Sequence, residues 1–117
     1  MNARGLLTQG DIEHSIVALS DQLEEQTYIY AQLSDEAANA EADYKLQAGK
    51  QLITLVASGA KMTAQERQAR ADVGCAEAFR AWKLAEARRQ SCKEALLSLR
   101  ARMDAQRSLA ANVRHQT

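Results

Sequence analysis

Four basic side chains recur at every seventh position near the end of the sequence: Lys93, Arg100, Arg107 and Arg114. On a helix this spacing places them along one flank at intervals of about 10.5 Å. Such a row of cations could follow a phosphate backbone or an acidic protein face, and a solvated helix flank has the same pattern. No aromatic residues alternate with the row, which disfavours stacking on single-stranded bases.

The other residue types that carry chemistry form no recognisable site. Cys75 and Cys92 would lie about 25 Å apart on one helix, beyond the roughly 7 Å that a disulfide spans. We therefore expect two buried thiols that are not bridged. His14 and His115 match no metal-ligand spacing. The sequence predicts no metal site, no cofactor and no enzymatic activity.

The elements that must position these residues are helical. The sequence has no proline, and its β-branched and aromatic residues are too scattered for strands. One break stands near the middle, where Gly59 suits the left-handed position after a helix and Thr63 and Glu66 have the spacing of a capping box. This pattern predicts an all-α fold, a long antiparallel helical hairpin.

The hairpin is predicted as a single domain over residues 1–117, with a first arm at about 11–58, a turn at 59–62 and a second arm at about 63–114. A break at Ser34 or Gly74 is the alternative and would give a bundle of three or four helices. Gly49 is a further candidate for a kink.

Mostly apolar residues at steps of three and four predict the seam between the arms, with an inserted four-residue step near Tyr44 and polar lapses at Arg89 and Gln106. In the first arm the seam comprises Ile12, Ile16, Leu19, Leu23, Gln26, Tyr30, Leu33, Ala37, Ala40, Tyr44, Ala48, Leu52 and Leu55. In the second it comprises Cys75, Ala78, Trp82, Ala85, Arg89, Cys92, Leu96, Leu99, Met103, Gln106, Ala110 and Val113.

Folding about residues 60 and 61 sets large residues against small ones. Trp82 then faces Ala37 and Ala40, and Tyr44 faces Ala78. Gly49 and Gly74 also meet, which predicts a close approach of the two backbones.

Two long helices shield a core residue on one side only, so some apolar residues need another cover. We expect this apolar interface at Ile29, Phe79, Trp82, Leu97 and Leu109. The hairpin is therefore predicted to form a homodimeric four-helix arrangement or to dock another protein.

The charge is divided between the arms although the chain is neutral overall. Residues 1–58 carry three Lys/Arg and nine Asp/Glu, whereas residues 59–117 carry twelve and six. We expect the arms to attract each other, through pairs such as Glu36 with Arg88 and Glu13 with Arg107.

The longest uncharged apolar stretch, Leu52 to Ala60, is too short to span a bilayer. The first residues lack the hydrophobic core of a secretion signal. A cytoplasmic location, with no membrane partner, is the expectation.

Four pieces of the sequence carry a family resemblance: Tyr44-x-x-x-x-Gly49, Thr63 to Arg67, Lys83-Leu84-Ala85-Glu86, and Arg107-Ser108-Leu109-x-x-Asn112. From Ala40 onward the chain resembles small helical proteins encoded by tailed bacteriophages and prophages in early or recombination gene clusters. The resemblance implies a phage setting in a bacterial host cell and no particular reaction.

Three functions fit these observations. The leading hypothesis is a non-enzymatic adaptor or inhibitor that presents a rigid helical face to a host or phage protein acting on DNA. The second is direct nucleic-acid binding through the basic row. The third is a purely structural, self-assembling coiled coil.

Overall fold

A computed structural model describes residues 8–116, and this part of the chain contains three α-helices and no strand. Helix α1 is Gln9–Ala57, α2 is Ala64–Gly74 and α3 is Ala76–Gln116. The predicted all-α class is confirmed. None of the helices within residues 8–116 combines the length and the hydropathy that crossing a bilayer requires.

Helix α1 begins two residues before the predicted position, because Thr8 and Asp11 cap it reciprocally. The Thr8 N–H donates to Asp11 Oδ2 at 3.0 Å, and the Asp11 N–H donates to Thr8 Oγ1 at 3.1 Å. These bonds satisfy two amides of the first turn, which have no partner inside the helix. The backbone bond from Thr8, followed by the bond to its side chain, lowers the pKa of Asp11 below its ordinary value.

The break between α1 and α2 contains the left-handed glycine and the capping box that the sequence predicts. Gly59 has a φ of 72°, the left-handed conformation that favours glycine after a helix end. The Thr63 side chain accepts from the Glu66 N–H at 3.1 Å, while the Glu66 carboxylate accepts from the Thr63 N–H at 3.4 Å. This capping box fixes the start of α2 at Ala64.

The prediction that the second arm is one continuous helix is wrong at one residue, because Cys75 separates α2 from α3. Its N–H is shared between Ala71 O at 3.0 Å and Asp72 O at 3.3 Å, and its φ and ψ are −115° and 29°. The helical pattern resumes at once, since the Phe79 N–H donates to Cys75 O at 2.9 Å. The break directly follows Gly74, one of the two alternative positions, whereas Ser34 and Gly49 lie inside α1.

The chain divides into two compact units, Met1–Ala31 with Ser91–Thr117 (unit 1) and Gln32–Gln90 (unit 2). In unit 1, Leu19 of α1 packs with Leu99 and Met103 of α3, flanked by Ile16 and Leu23. Cys92 lies 3.7 Å from Gln26, so higher positions in α1 meet lower ones in α3. The two segments are therefore antiparallel.

Unit 2 has its own core, in which α1 contributes Tyr44 and Ala48 and the second half of the chain contributes Cys75 and Ala78. Trp82 is half-buried against this cluster. Tyr44 therefore meets Ala78 as predicted. Across both units, every residue of the two predicted seams is buried or half-buried, so the seams are confirmed.

The predicted contact between Gly49 and Gly74 is absent from the described structure. A Cβ at Gly49 would have no neighbour within 4 Å, whereas a Cβ at Gly74 would lie 3.1 Å from Gln51 Cδ. A side chain therefore covers Gly74, and Gly49 faces open space.

This difference predicts that alanine is accommodated more favourably at Gly49 than at Gly74. Gly49→Ala should raise the free energy of unfolding by about 0.5–1 kcal/mol, because alanine is the better helix former and nothing obstructs its methyl group. Gly74→Ala should gain less, because Gln51 would have to move. Urea unfolding at low protein concentration, followed by circular dichroism, measures both. A destabilised Gly49→Ala protein would show that this face is covered.

Candidate interaction surfaces

Three aromatic rings pack together in unit 2 and form the chain's aromatic cluster: Tyr44, Phe79 and Trp82. Tyr44 and Trp82 stack, with their centroids 5.1 Å apart and an interplanar angle of 19°. Phe79 meets both edge-on, at 5.4 Å from Tyr44 and 5.9 Å from Trp82. The sequence predicts that Trp82 faces the small residues Ala37 and Ala40, and it does not predict that Trp82 stacks on Tyr44. Offset and edge-on pairs are favourable geometries for aromatic rings.

A cation lies over this cluster. Lys83 Nζ is 4.0 Å from the centroid of Trp82 and 5.6 Å from that of Phe79. Its second partner is Glu86 Oε2, at 3.6 Å. Lysine over an indole face is a cation–π contact, which orients the ammonium group beside the exposed edge of Phe79. We call Phe79, Trp82 and Lys83 the aromatic face.

Tyr44 also joins α1 to α2 through a polar contact. Its hydroxyl donates a hydrogen bond to Asp72 Oδ1, which also accepts from Gln68 Nε2 at 3.0 Å. The hydrogen bond to Asp72, then burial of the ring, raises the pKa of Tyr44 above its ordinary value of 10.0. The phenol is therefore held in its protonated, donating form.

The raised pKa of Tyr44 predicts a loss of stability in alkali. The folded chain binds the phenol proton more tightly than the unfolded chain does. The contribution of Tyr44 to the free energy of unfolding is therefore complete below about pH 10 and falls as the pH rises through the folded-state pKa. Wild type should lose stability above pH 10 more steeply than Tyr44→Phe, and Asp72→Asn should reduce the slope. Urea unfolding across this range measures the effect. Identical profiles for wild type and Tyr44→Phe would contradict it.

A second exposed surface runs along α1 on the side away from the core of unit 2. Leu46, Ile53 and Val56 are 59%, 72% and 59% exposed. With Ala42 and Gly49 they form a ladder of steps of four, three, four and three residues, the α1 outer face. A shallow groove of about 370 Å³ lies at its end, lined by Leu52, Ile53, Val56 and Ala57.

Unit 1 carries the basic row on α3. All four of its residues are exposed. Arg114 Nε donates to Ala110 O of its own helix at 3.5 Å. Lys93, Arg100 and Arg107 make no hydrogen bond or ion pair with any residue that the structure describes. Their charge is thus directed to solvent.

The predicted pairs Glu36 with Arg88 and Glu13 with Arg107 are not ion pairs within residues 8–116. Glu13 instead accepts from Gln9 Nε2 at 3.1 Å, one turn earlier on α1. Lys45 pairs with Glu41 at 2.9 Å, again within one helix. Exposed ion pairs are weak, so partners one turn away on the same helix compete successfully with partners on another.

Unit 1 also has a groove of about 320 Å³ between its two helical segments. Its lining is Gln22, Glu25, Gln26, Ala95, Ser98, Leu99 and Arg102. At the adjoining Cys92, the thiol lies 3.7 Å from both the backbone and the side-chain oxygen of Gln26. Cys75 and Cys92 are both buried and unbridged, as predicted.

Residues 8–116 contain no group of three or more His, Cys, Asp or Glu side chains placed to hold a metal ion. His14 and His115 are both exposed. His14 lies on α1 and His115 in the last turn of α3.

The five residues of the predicted apolar interface differ in their exposure and in the unit that contains them. Phe79 and Leu97 are 37% and 53% exposed. Ile29 and Leu109 are half-buried in unit 1, and Trp82 packs on the core of unit 2. Sequence reasoning missed the α1 outer face. Its signal was a second ladder of three- and four-residue steps, about a third of a turn around α1 from the seam.

No protein-family model, no curated protein and no solved structure matches the chain.

Proposed function

We propose that the chain is a non-enzymatic protein-interaction module, an adaptor or inhibitor, that binds another protein through the aromatic face. One observation carries this proposal: Phe79 is fixed by two aromatic neighbours yet keeps 37% of its surface exposed, beside a cation held in place. Aromatic residues, Phe included, are enriched at protein interfaces, and a few such anchors carry most of the binding energy.

The rigidity of the aromatic face favours tight binding. A side chain that is already held by its neighbours loses little freedom when a partner covers it, so less of the interaction energy is spent on ordering. The ring edge of Phe79 and the ammonium group of Lys83 would fit a partner surface that has an apolar pocket next to a carboxylate. The phage resemblance makes a host or phage protein that acts on DNA the candidate partner, in the bacterial cytoplasm.

Affinity capture from bacterial lysate tests the proposal when four baits are compared by quantitative mass spectrometry: wild type, Phe79→Ala, Lys83→Glu and Val17→Ala. Val17 is a matched control, because it is exposed and apolar but lies in unit 1. At least one captured protein should fall about tenfold with Phe79→Ala and with Lys83→Glu, a loss of about 1.4 kcal/mol, and be unchanged with Val17→Ala.

Lys83→Glu is included because truncation of Phe79 also removes ring contacts inside unit 2. Calorimetric titration of the purified partner should then reproduce the order of affinities. If no captured protein separates the two aromatic-face variants from the Val17→Ala control, the proposal is wrong.

A second candidate function is nucleic-acid binding through the basic row. The observation that favours it is the exposure of Lys93, Arg100 and Arg107 without partners among the described residues. Four phosphate contacts would make affinity for duplex DNA fall about a hundredfold between about 50 and about 200 mM salt. Fluorescence anisotropy with labelled duplex measures this dependence.

The matched variants for that titration are Arg100→Glu with Arg107→Glu, and Arg70→Glu as a control with one charge reversed away from the row. The double variant should abolish binding at moderate salt, and the control should retain most of it. Affinity that is absent, or that does not depend on salt, would show that the row is a solvated flank.

A further inference from the structure

We propose that the α1 outer face binds the same face of a second copy of this chain, with the two α1 helices antiparallel. This surface is distinct from the aromatic face and from the predicted interface at Ile29, Leu97 and Leu109. The spacing, the size and the charge of the side chains along residues 42–56 all favour this contact.

The spacing suits pairing of two helices. Ala42, Leu46, Gly49, Ile53 and Val56 follow one another at alternating steps of four and three, a repeat of 3.5 residues. Such a repeat keeps an apolar stripe facing a partner helix along its whole length. The stripe covers four turns, about 21 Å of helix rise, and its three large side chains are all more than half exposed.

The sizes are complementary in one antiparallel register. When Leu46 lies opposite Gly49 of the second copy, Ile53 falls opposite Ala42 of the second copy, and the two-fold axis repeats both contacts. Leu46 and Ile53 each then meet a small residue, while Val56 lies at the end of the contact. Gly49 can receive Leu46 because, apart from its chain neighbours and the backbone of its own helix, no atom lies within 4 Å of where its Cβ would be.

The charges agree with the same register. Asp43 and Lys50 are exposed and lie on one flank of the stripe. In the antiparallel register, Asp43 of each copy comes within about 3 Å of helix rise of Lys50 in the other, which gives two opposite-charge pairs. Lys45, on the other flank, already pairs with Glu41 at 2.9 Å.

A parallel, in-register pair is disfavoured by both criteria. It would set Gly49 against Gly49 and leave a gap between two layers of bulky residues. It would also bring Lys45 of one helix next to Lys50 of the other, at the flanking positions where parallel coiled coils place their ion pairs. Like charges there oppose association.

Cysteine cross-linking tests both the contact and its direction. Chains carrying Ala42→Cys and chains carrying Ile53→Cys, mixed under mild oxidation, should form a disulfide between the two kinds of chain. Ile53→Cys alone should form little, because the antiparallel register separates the two copies of residue 53. Wild type is the control for the natural cysteines, which are buried. Efficient bridging of Ile53→Cys alone, or none in the mixture, overturns the proposal.

Charge exchange is the second test, read as molecular mass by light scattering over a range of concentrations. Asp43→Lys should weaken dimerisation at least tenfold, and Lys50→Asp added to it should restore the dimer. The two single variants, mixed, should pair with each other. Gly49→Leu should give a monomer with wild-type helicity. A dimer that ignores these changes, or a monomeric wild type at high concentration, overturns the proposal.

Failure of the dimer proposal can be distinguished from failure of the proposed function. Phe79→Ala should leave the dimer mass unchanged, and Ile53→Glu should leave capture through the aromatic face unchanged. A dimer without capture, or capture without a dimer, would therefore assign the failure to one proposal alone.

Discussion

Trp82→Ala should lower the free energy of unfolding of unit 2 by about 3–5 kcal/mol, the usual cost of truncating a large aromatic residue that packs on a core. The indole stacks on Tyr44 at 5.1 Å, meets Phe79 edge-on and lies against the buried cluster of unit 2. Its removal would leave a cavity beside Tyr44 and take away the ring beneath Lys83.

Trp82→Phe is the matched control and should cost less than about 1.5 kcal/mol. It keeps an aromatic ring, and it removes an indole N–H that is buried without a hydrogen-bond acceptor among the described residues. Native-state hydrogen exchange gives the opening free energy of amides in residues 32–90 for each variant. A loss below about 1 kcal/mol for Trp82→Ala would mean that the ring stack contributes little.

Leu19→Ala should lower the free energy of unfolding of unit 1 by about 2–5 kcal/mol. Leu19 is buried between Leu99 and Met103, with Ile16 and Leu23 packed at its sides, so few groups are free to fill the space that it leaves. Hydrogen exchange of the amides in 8–31 and 91–116 measures this loss.

Leu97→Ala is the control for Leu19→Ala, because it removes the same atoms from a side chain that is 53% exposed. Its effect should stay within about 0.5 kcal/mol. Equal costs for the two substitutions would show either that Leu97 is covered or that the contact of Leu19 with Leu99 and Met103 is weak.

The parts of the fold that depend on local chemistry could be predicted from the sequence. Gly59 and the pair Thr63 and Glu66 act within one or two turns, so their types alone indicate a helix end and a helix start. The seam was also predictable, because burial of one helix face requires apolar residues at steps of three and four. Boundaries moved by only one or two residues.

The parts that depend on tertiary contacts could not be predicted. Gly49 and Gly74 have the same intrinsic helix propensity, yet only Gly74 stands beside a helix boundary, where the Gln51 side chain lies against it. The two positions are distinguished by surroundings that involve residues distant in the sequence. The same is true of Tyr44, whose bond to Asp72 joins residues 28 positions apart.

The candidate surfaces were predictable to different degrees. The regular spacing of the basic row and the exposure of Phe79 and Leu97 could be anticipated from their positions off the seam. The α1 outer face could not be separated from solvated surface by sequence alone, because alanine and glycine interrupt its large residues.

The chain contains a single tryptophan, Trp82, and it belongs to the ring stack of unit 2. Its fluorescence emission is therefore an intrinsic optical reporter of that unit, sensitive to the neighbouring phenol and ammonium groups. Residues 8–31 and 91–116 contain no tryptophan, so they contribute nothing to this emission when the excitation lies beyond the tyrosine absorption band. A melting curve followed by this fluorescence reports on unit 2, whereas one followed by circular dichroism averages over all helices. A difference between the two midpoints would show that the units do not melt together.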